Sequence, residues 1–310
     1  MTPRRSSRST GRRSPRRARS GRDRLAKFIN LRTFYPTRVE FNDYYAWAAQ
    51  QFDKQVRWGT DVLEVTAVPP GEHDAELLRV VLRDQATGET DSVLTRNLLI
   101  APGGTPYVPE GAGLGERVFH ASETRERLER SFDDLSAPYH FNVVGSGQTS
   151  ADVFMHLRRS YPNARITTNI RGFAMRPEDD THFVTLHRFT ELVGARSDAE
   201  RAVATYFHLD SGETSEVDAD AVILATGYRY PMPIPALAGL DQYLRMETPE
   251  RYAIRRDYAI ESVEGFGPRI FLQGFAEATH GFSEVLLSLM PMRAADIVQS
   301  IAENASVESR

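Results

Sequence analysis

Hydrophobic and polar positions fall into three patterns along the chain. Between Phe41 and Phe52, the residues Tyr44, Trp47, Ala48 and Gln51 recur at i, i+3, i+4 and i+7, the spacing of an amphipathic helix. Pro36 lies upstream of it and Asn42 is available as a cap. Asp61–Val68 alternates as a half-buried strand does. Leu77–Arg83 and Asp91–Ile100 flank Ala86-Thr-Gly-Glu89, a hairpin turn. The third pattern is a continuous apolar run that ends in glycine, as in Asn97-Leu-Leu-Ile-Ala-Pro-Gly-Gly104 and Ala221-Val-Ile-Leu-Ala-Thr-Gly-Tyr228. Such runs predict parallel strands covered on both faces, with the glycine letting backbone approach a ligand.

Those two runs belong to an internal repeat. ThrGlyGluThr at 87–90 precedes the first and SerGlyGluThr at 211–214 precedes the second, with one offset of 124 residues for both elements. Each copy reads as a hairpin, a buried strand and a small Gly-containing turn.

His140-Phe-Asn-Val-Val-Gly-Ser-Gly-Gln-Thr-Ser150 continues into Ala-Asp-Val-Phe-Met-His-Leu157, giving strand, Gly-rich turn and helix in that order. Gly145 would make the tight turn, and Gly147 would let backbone reach a pyrophosphate. Ser150 takes the third position, where helix meets strand. Ser146, Gln148 and Thr149 complete a cradle whose unpaired N–H groups and helix dipole favour an anion. Val153, Phe154 and Leu157 share the sheet-facing side of that helix. The next strand, Arg165-Ile-Thr-Thr-Asn-Ile-Arg171, ends in Arg171 rather than an acidic residue, which suits a ribose 2′-phosphate and favours NADPH over NADH.

Composition divides the chain unevenly. Residues 1–27 carry +10, with ten Arg, one Lys and one Asp, which leaves −14 on residues 28–310. Residues 1–24 hold no large apolar residue after Met1, so this leader is expected to be disordered. It is compatible with a nucleic-acid arm, a transit peptide or a solvated tail. A twin-Arg export signal would need an apolar segment that is lacking here. With no cysteine, disulfides, thiolate metal sites and a cysteine nucleophile are excluded, and no metal site is expected. No apolar run approaches the roughly 18 residues of a membrane-spanning helix, and a cytoplasmic protein is expected.

With these motifs on the page, the sequence resembles the flavin-dependent N-hydroxylating monooxygenases that act on the side-chain amine of L-ornithine or L-lysine in siderophore biosynthesis. Arg32-Thr-Phe-Tyr-Pro-Thr-Arg-Val-Glu-Phe-Asn-Asp-Tyr-Tyr-Ala-Trp47 is similar to the family's Pro-x-Arg-x-Glu-Phe-x-x-Tyr-x-x-Trp segment. Val143–Ser150 is similar to its NADPH turn, Arg171 to its 2′-phosphate arginine and Asp220–Tyr228 to its second Gly turn. Thr279-His-Gly-Phe-Ser-Glu-Val-Leu-Leu-Ser288 is similar to its C-terminal Thr-His-Gly-x-Ser-x-x-Leu-Leu-Ser. The resemblance runs from Leu25 to Ala302.

It implies an α/β fold of two dinucleotide-binding, Rossmann-like domains. The expected NADPH domain, shortened, covers 141–202 and is inserted in an FAD domain made of 25–140 and 203–310. It also implies FAD and NADPH as cofactors, O₂ as co-substrate and a homo-oligomer. Val62, Gly103, Gly104, Gly227, His280, Gly281, Val285, Leu286 and Leu287 would lie at the flavin, and Ser288, on a helix expected from Ser283 to Glu303, at the substrate. His280 either lines the flavin or shapes its turn. Met290 and Met292 are expected in the core, and His120 and Ser122 resemble a His-Ser pair of the family. In enzymes of this type NADPH reduces FAD, and oxygen from O₂ passes to the neutral amine, so no side-chain nucleophile is needed.

Three departures accompany the resemblance. No Gly fingerprint holding an FAD pyrophosphate precedes position 145, so the FAD domain is expected to lack its first strand and Gly loop. The family's substrate-carboxylate lysine should precede Leu25, where the leader stands. Arg176-Pro-Glu-Asp-Asp-Thr-His-Phe-Val184 jumps to Thr185-Leu-His-Arg-Phe189 without the Asn-Glu that should follow, as though a block were deleted. The chain thus reads as N-terminally truncated with an internal deletion, and residues 1–24 as frame-shifted or mis-started coding sequence. The alternative functions are a reductase-like protein that keeps only the nucleotide site, and an inactive remnant or nucleic-acid-binding module.

Overall fold

A computed structural model describes residues 38–68, 75–174, 185–281, 284 and 286–308. The leader and the 175–184 segment fall outside them. The chain divides into two units, one of residues up to Thr60 with Asp84–Thr87, the other of Asp61–Arg83 and Gly88 onward.

The smaller unit is built on helix α1, Arg38–Gln50. The helix expected from the aromatic spacing forms, but Asn42 lies inside it and caps nothing. Tyr44 is 57% exposed, and its ring lies against Trp47 at a centroid distance of 6.0 Å. Past the helix, Asp53 accepts a 2.8 Å bond from the Trp58 indole. At the hairpin end of this unit, the Asp84 carboxylate accepts 2.8 Å bonds from the N–H groups of Ala86 and Thr87. Those backbone donors hold its pKa below the ordinary value.

The larger unit opens with strands β1 (Thr60–Val68), β2 (Leu77–Asp84) and β3 (Thr90–Thr95), which form a sheet in that order. The expected strand Asp91–Ile100 is two strands. After Thr95, whose hydroxyl bonds across the bend to the carbonyl and the N–H of Asn97, the chain leaves the antiparallel sheet. It continues as β4 (Asn97–Ile100), β5 (Thr105–Pro106) and β6 (Val118–His120), then α2 (Thr124–Ser131), β7 (His140–Val144) and α3 (Gln148–Ser160). Next come β8 (Arg165–Asn169), β9 (Thr185–His187), β10 (Thr190–Ser197), β11 (Ala202–His208), β12 (Thr214–Ala219) and β13 (Ala221–Leu224). The remainder holds β14 (Tyr228–Arg229), β15 (Met246–Thr248), β16 (Arg251–Tyr252), β17 (Arg269–Leu272), α4 (Glu277–His280) and α5 (Met290–Glu308).

The sheet that positions the Gly-rich turn has the order β6-β13-β7-β8-β9, and every pairing in it is parallel. Its strands alternate between two apolar environments. Phe119, Phe141, Val143 and Ile223 pack with Leu128, Phe132, Phe154 and Leu157 of the helical side. Val118, Val144, Val222 and Leu224 pack with Leu192, Ala202, Ala204 and Tyr206 of the antiparallel sheet β10-β11-β12. Cover on both faces is why Ala221-Val-Ile-Leu224 is apolar throughout. β13 pairs with β7 and β6, so strands 118–120 and 221–224 share one sheet with the Gly turn. Boundaries at 141 and 202 therefore run through this sheet.

The repeat is one of structure. β2-β3 and β11-β12 are hairpins followed by four-residue strands that pair in parallel, β4 with β17 and β13 with β6 and β7. The turn glycines match as well, Gly88 and Gly212 at φ 74° and 73°, Gly103 and Gly227 at 73° and 84°. Beyond each copy the chain enters a two-stranded strap in which Thr105 of β5 lies opposite Arg229 of β14, residues related by the same offset.

One polar ladder crosses the apolar layer beneath the Gly turn. Asn142 donates to Thr167 (2.9 Å) and Asn169 (2.8 Å), and the Tyr206 hydroxyl donates to the Asn142 side-chain oxygen. Asn169 in turn donates to Thr190 at 3.2 Å. All five residues are buried, and burial pushes the Tyr206 phenol well above its ordinary pKa. Tyr206→Phe leaves the Asn142 oxygen without its donor and is expected to cost about 1–3 kcal/mol. Urea unfolding checks this, and an unchanged midpoint would contradict it.

Candidate functional site

Five parallel strands place five carboxyl ends along one edge, the place where open α/β sheets bind ligands. In strand order this edge carries His120 and Ser122, then Ala225–Gly227, then Gly145–Gly147, then Ile170–Phe173, then Arg188 and Phe189. Gly145 is the constrained position. Its φ is 133°, and a Cβ there would lie 2.2 Å from the Ala225 carbonyl oxygen. Its N–H donates to the Asn169 carbonyl at 3.0 Å, which ties the turn to the end of β8. Gly147 caps helix α3, and nothing lies within 4 Å of a Cβ built on it. Ser146, Gln148 and Thr149 line the same turn, and the carbonyl of Gly147 accepts from the N–H groups of Ser150 and Ala151. Ser150 is fully buried between helix and sheet, its hydroxyl without a protein partner.

β8 ends at Asn169, two residues short of the expected strand. Arg171 follows it as a 75% exposed side chain whose guanidinium lies 3.6 Å from the Glu191 carboxylate.

The second Gly turn is held from below. His120 is buried, and its Nδ1 accepts the Ser122 N–H at 3.2 Å, so the proton sits on Nε2 and is donated to the Gly227 carbonyl at 3.0 Å. The same carbonyl accepts the Tyr107 N–H at 2.9 Å. The His-Ser pair therefore fixes a backbone turn. Gly103 lies at positive φ in open space, while a Cβ on Gly104 would approach Tyr228 Cβ to 2.8 Å. Val62 stands apart, 52% exposed on β1.

The C-terminal motif is anchored by buried charge. Glu284 and Arg293 pair at 3.4 Å, and Glu284 also accepts the Gly274 N–H at 2.9 Å. His280 shapes its turn: Nε2 donates to the Arg256 carbonyl (3.1 Å), Nδ1 meets the Thr279 hydroxyl (2.8 Å), and the ring stacks on Tyr258 at 4.3 Å. Gly281, at φ 88°, closes α4. Val285 lies outside the described residues. Leu286, Leu287 and Ser288 are exposed, and Ser288 sits in a 3-10 turn before α5 rather than inside the expected helix. The reason is Pro291, which a helix accepts only in its first turn. Met292, expected in the core, is 65% exposed.

The residues around Gly147 and Arg171 fit NADPH, with an open cradle at a helix N-terminus for diphosphate and an exposed cation one strand away. For FAD they fit in part. The turns at 103–104 and 227 are present, but no second strand–Gly turn–helix unit occurs among the described residues, so no diphosphate contact is assigned. No group of side chains able to hold a metal ion occurs among the described residues either.

Comparison with known proteins places this arrangement. Residues 19–191 match the family described as L-lysine 6-monooxygenase/L-ornithine 5-monooxygenase. An L-ornithine N(5)-monooxygenase from Pseudomonas aeruginosa is 34% identical, over 91% of this chain and 76% of its own length. The chain belongs to the L-lysine 6-monooxygenase/L-ornithine 5-monooxygenase family. Among solved structures, the reduced form of ornithine hydroxylase PvdA from P. aeruginosa superposes with a TM-score of 0.74 at 30% identity, covering 91% of this chain and 80% of that one. An ornithine N-hydroxylase from Kutzneria sp. 744 shares the fold with a TM-score of 0.79 at 23% identity, over 92% and 81%. The two-nucleotide α/β fold expected from the sequence is thus the fold of the family.

Sequence reading missed Phe173, Arg188 and Phe189 at the carboxyl edge of the sheet, because nothing local marks 185–187 as a neighbour of β8. It also missed the Glu284–Arg293 pair. Pro291 was the available signal for the late start of α5.

Gly145→Ala forces a methyl against the Ala225 carbonyl and is expected to cost about 3 kcal/mol and to abolish nucleotide binding. Thermal melting and NADP⁺ titration check it; wild-type values in both would refute the role given to this contact.

Proposed function

We propose that this protein hydroxylates the side-chain amine of L-ornithine, with L-lysine as the second substrate, in an NADPH- and FAD-dependent reaction that serves hydroxamate siderophore biosynthesis in the cytoplasm. The observation that carries this reading is family membership together with an intact Gly145–Gly147 turn and an arginine at position 171. Relatives named for L-ornithine, at 34% and 31% identity, favour ornithine.

FAD, when bound and reduced by NADPH, activates O₂ for transfer of one oxygen atom to the amine. The protein's own part is positioning. The N-terminus of α3 and Gly147 take the NADPH diphosphate, and Arg171 takes its 2′-phosphate. Gly103, Gly227 and Gly281 allow backbone to approach the flavin, and Gly104 beside them makes room for Tyr228. Leu286 and Leu287 offer it an apolar wall that excludes water. His280 holds the 279–281 turn rather than reacting. Ser288, exposed beside these leucines, is the residue we assign to the substrate amino acid.

With FAD supplied, NADPH oxidation is expected to rise on adding ornithine and to yield N5-hydroxyornithine. Ser288→Ala should raise KM for ornithine by about tenfold and leave NADP⁺ affinity unchanged. NADP⁺ binding without hydroxylated product would favour the reductase-like alternative. No nucleotide binding at all would favour an inactive remnant.

We also infer a homo-oligomer, supported by the exposed Tyr44, Trp47, Phe52 and Trp58 of the smaller unit. Light scattering coupled to size exclusion tests it, and a monomer at micromolar concentration would refute it.

A further inference from the structure

The outer end of the nucleotide edge carries a cluster that no part of the chemistry above requires. Asn169 of β8 is in register with His187 of β9, so Arg171–Phe173 and Arg188–Phe189 leave two adjacent parallel strands at the same end. Val144 is in register with Asn169, which puts the Gly turn at that end as well.

The Arg188 guanidinium lies over the Phe173 ring, 4.8 Å from its centroid, and Phe173 meets Phe189 at 6.4 Å with an interplanar angle of 45°. Phe173 is 68% exposed, and Phe189 is exposed too. Two phenyl rings on a polar rim offer stacking faces to a purine. Phe189 is also backbone-strained, at φ 56° with a bulky side chain. Its neighbours hold it there. Ile170 donates to the His187 carbonyl (3.0 Å), Thr190 to the Ile170 carbonyl (2.9 Å) and Leu209 to the Phe189 carbonyl (2.8 Å). Over-determined strain of this kind gathers at ligand sites.

We propose that Phe173, Arg188 and Phe189 complete the adenosine 2′-phosphate end of the dinucleotide site, with Arg188 the residue that sets preference for NADPH over NADH. This rests on the reading of Gly145–Gly147 as the diphosphate turn. Arg171 is partly neutralised by Glu191, 3.6 Å away. Arg171 with Glu191 alone presents no net charge to a phosphate dianion. Arg188 makes the local balance positive, and its planar fork, held against Phe173, suits a phosphate. For NADH the same Glu191 carboxylate can accept the ribose 2′-hydroxyl, so loss of Arg188 removes nothing NADH uses.

Isothermal titration with NADP⁺, NAD⁺ and 2′,5′-ADP separates the possibilities. Wild type is expected to bind NADP⁺ more tightly than NAD⁺. Arg188→Gln should weaken NADP⁺ and 2′,5′-ADP by about tenfold while NAD⁺ changes less than about twofold. Phe173→Ala should weaken both dinucleotides, NADP⁺ the more because Arg188 loses the ring it lies on, and Glu191→Gln should tighten NADP⁺. A wild-type NADP⁺/NAD⁺ ratio in Arg188→Gln overturns the assignment and leaves the diphosphate turn standing. If neither dinucleotide binds wild type, the turn reading falls and the assignment falls with it. Arg188 is exposed, so an unaltered circular dichroism spectrum is expected and excludes misfolding as the cause.

Discussion

At Gly145 the chain passes so close to the Ala225 carbonyl that no side chain fits between them. That approach exists because β13 inserts next to β7, and it sets the geometry of the whole edge. β7 turns there into α3 and opens the diphosphate cradle. The Gly145 N–H holds the end of β8, and β13 runs on through Ala225 to the Gly227 turn. A residue with a Cβ at position 145 would push β7 from β13 and separate the Gly145–Gly147 turn from the Gly227 turn.

Rigidity behind this edge comes from polar groups rather than from apolar packing alone. Asn142, Thr167, Asn169, Thr190 and Tyr206 satisfy one another inside the layer between the parallel and antiparallel sheets. Apolar side chains of similar size would bury as well, but they would not fix register. A hydrogen-bonded ladder penalises any sliding of β8 against β7, because every slip leaves a buried donor or acceptor unpaired. Since Asn169 also ends β8, the ladder places Ile170, Arg171 and Phe173 relative to the Gly turn.

What could be read from the sequence was local or periodic. The strand–Gly turn–helix of 140–157 is contiguous, and its glycines carry their own steric reasons. The 124-residue repeat is visible because each copy needs the same hairpin and the same positive-φ glycine. The break of Asp91–Ile100 at Arg96 was harder, since neither Gly nor Pro marks it and the second half is set apart by its parallel pairing with β17. The sheet membership of Val118–His120 and Ala221–Leu224, on either side of the expected limits 141 and 202, was hidden for the same reason: they join the Gly-turn sheet through contacts distant in sequence. The late start of α5 was legible in Pro291 and was overridden by the apolar run Val285-Leu-Leu287. Arg188 and Phe189 lacked any local mark, because membership of the nucleotide edge is conferred on them by β9 pairing alone.

The repeat also explains why two Gly turns lead into one shared strap. Each copy delivers a strand, a glycine at φ 73° or 84° and then one strand of the β5–β14 strap. Thr105 and Arg229, one repeat apart, sit opposite in that strap. The Arg229 guanidinium lies 3.9 Å over the Tyr107 ring, and Thr226 bonds to the Tyr107 carbonyl. The strap thus pairs the segments that leave the two copies antiparallel to one another. His120 then adds an element that the first copy does not share. From the end of β6 it bonds the Gly227 carbonyl and so holds the turn that follows β13, the neighbouring strand of the same sheet.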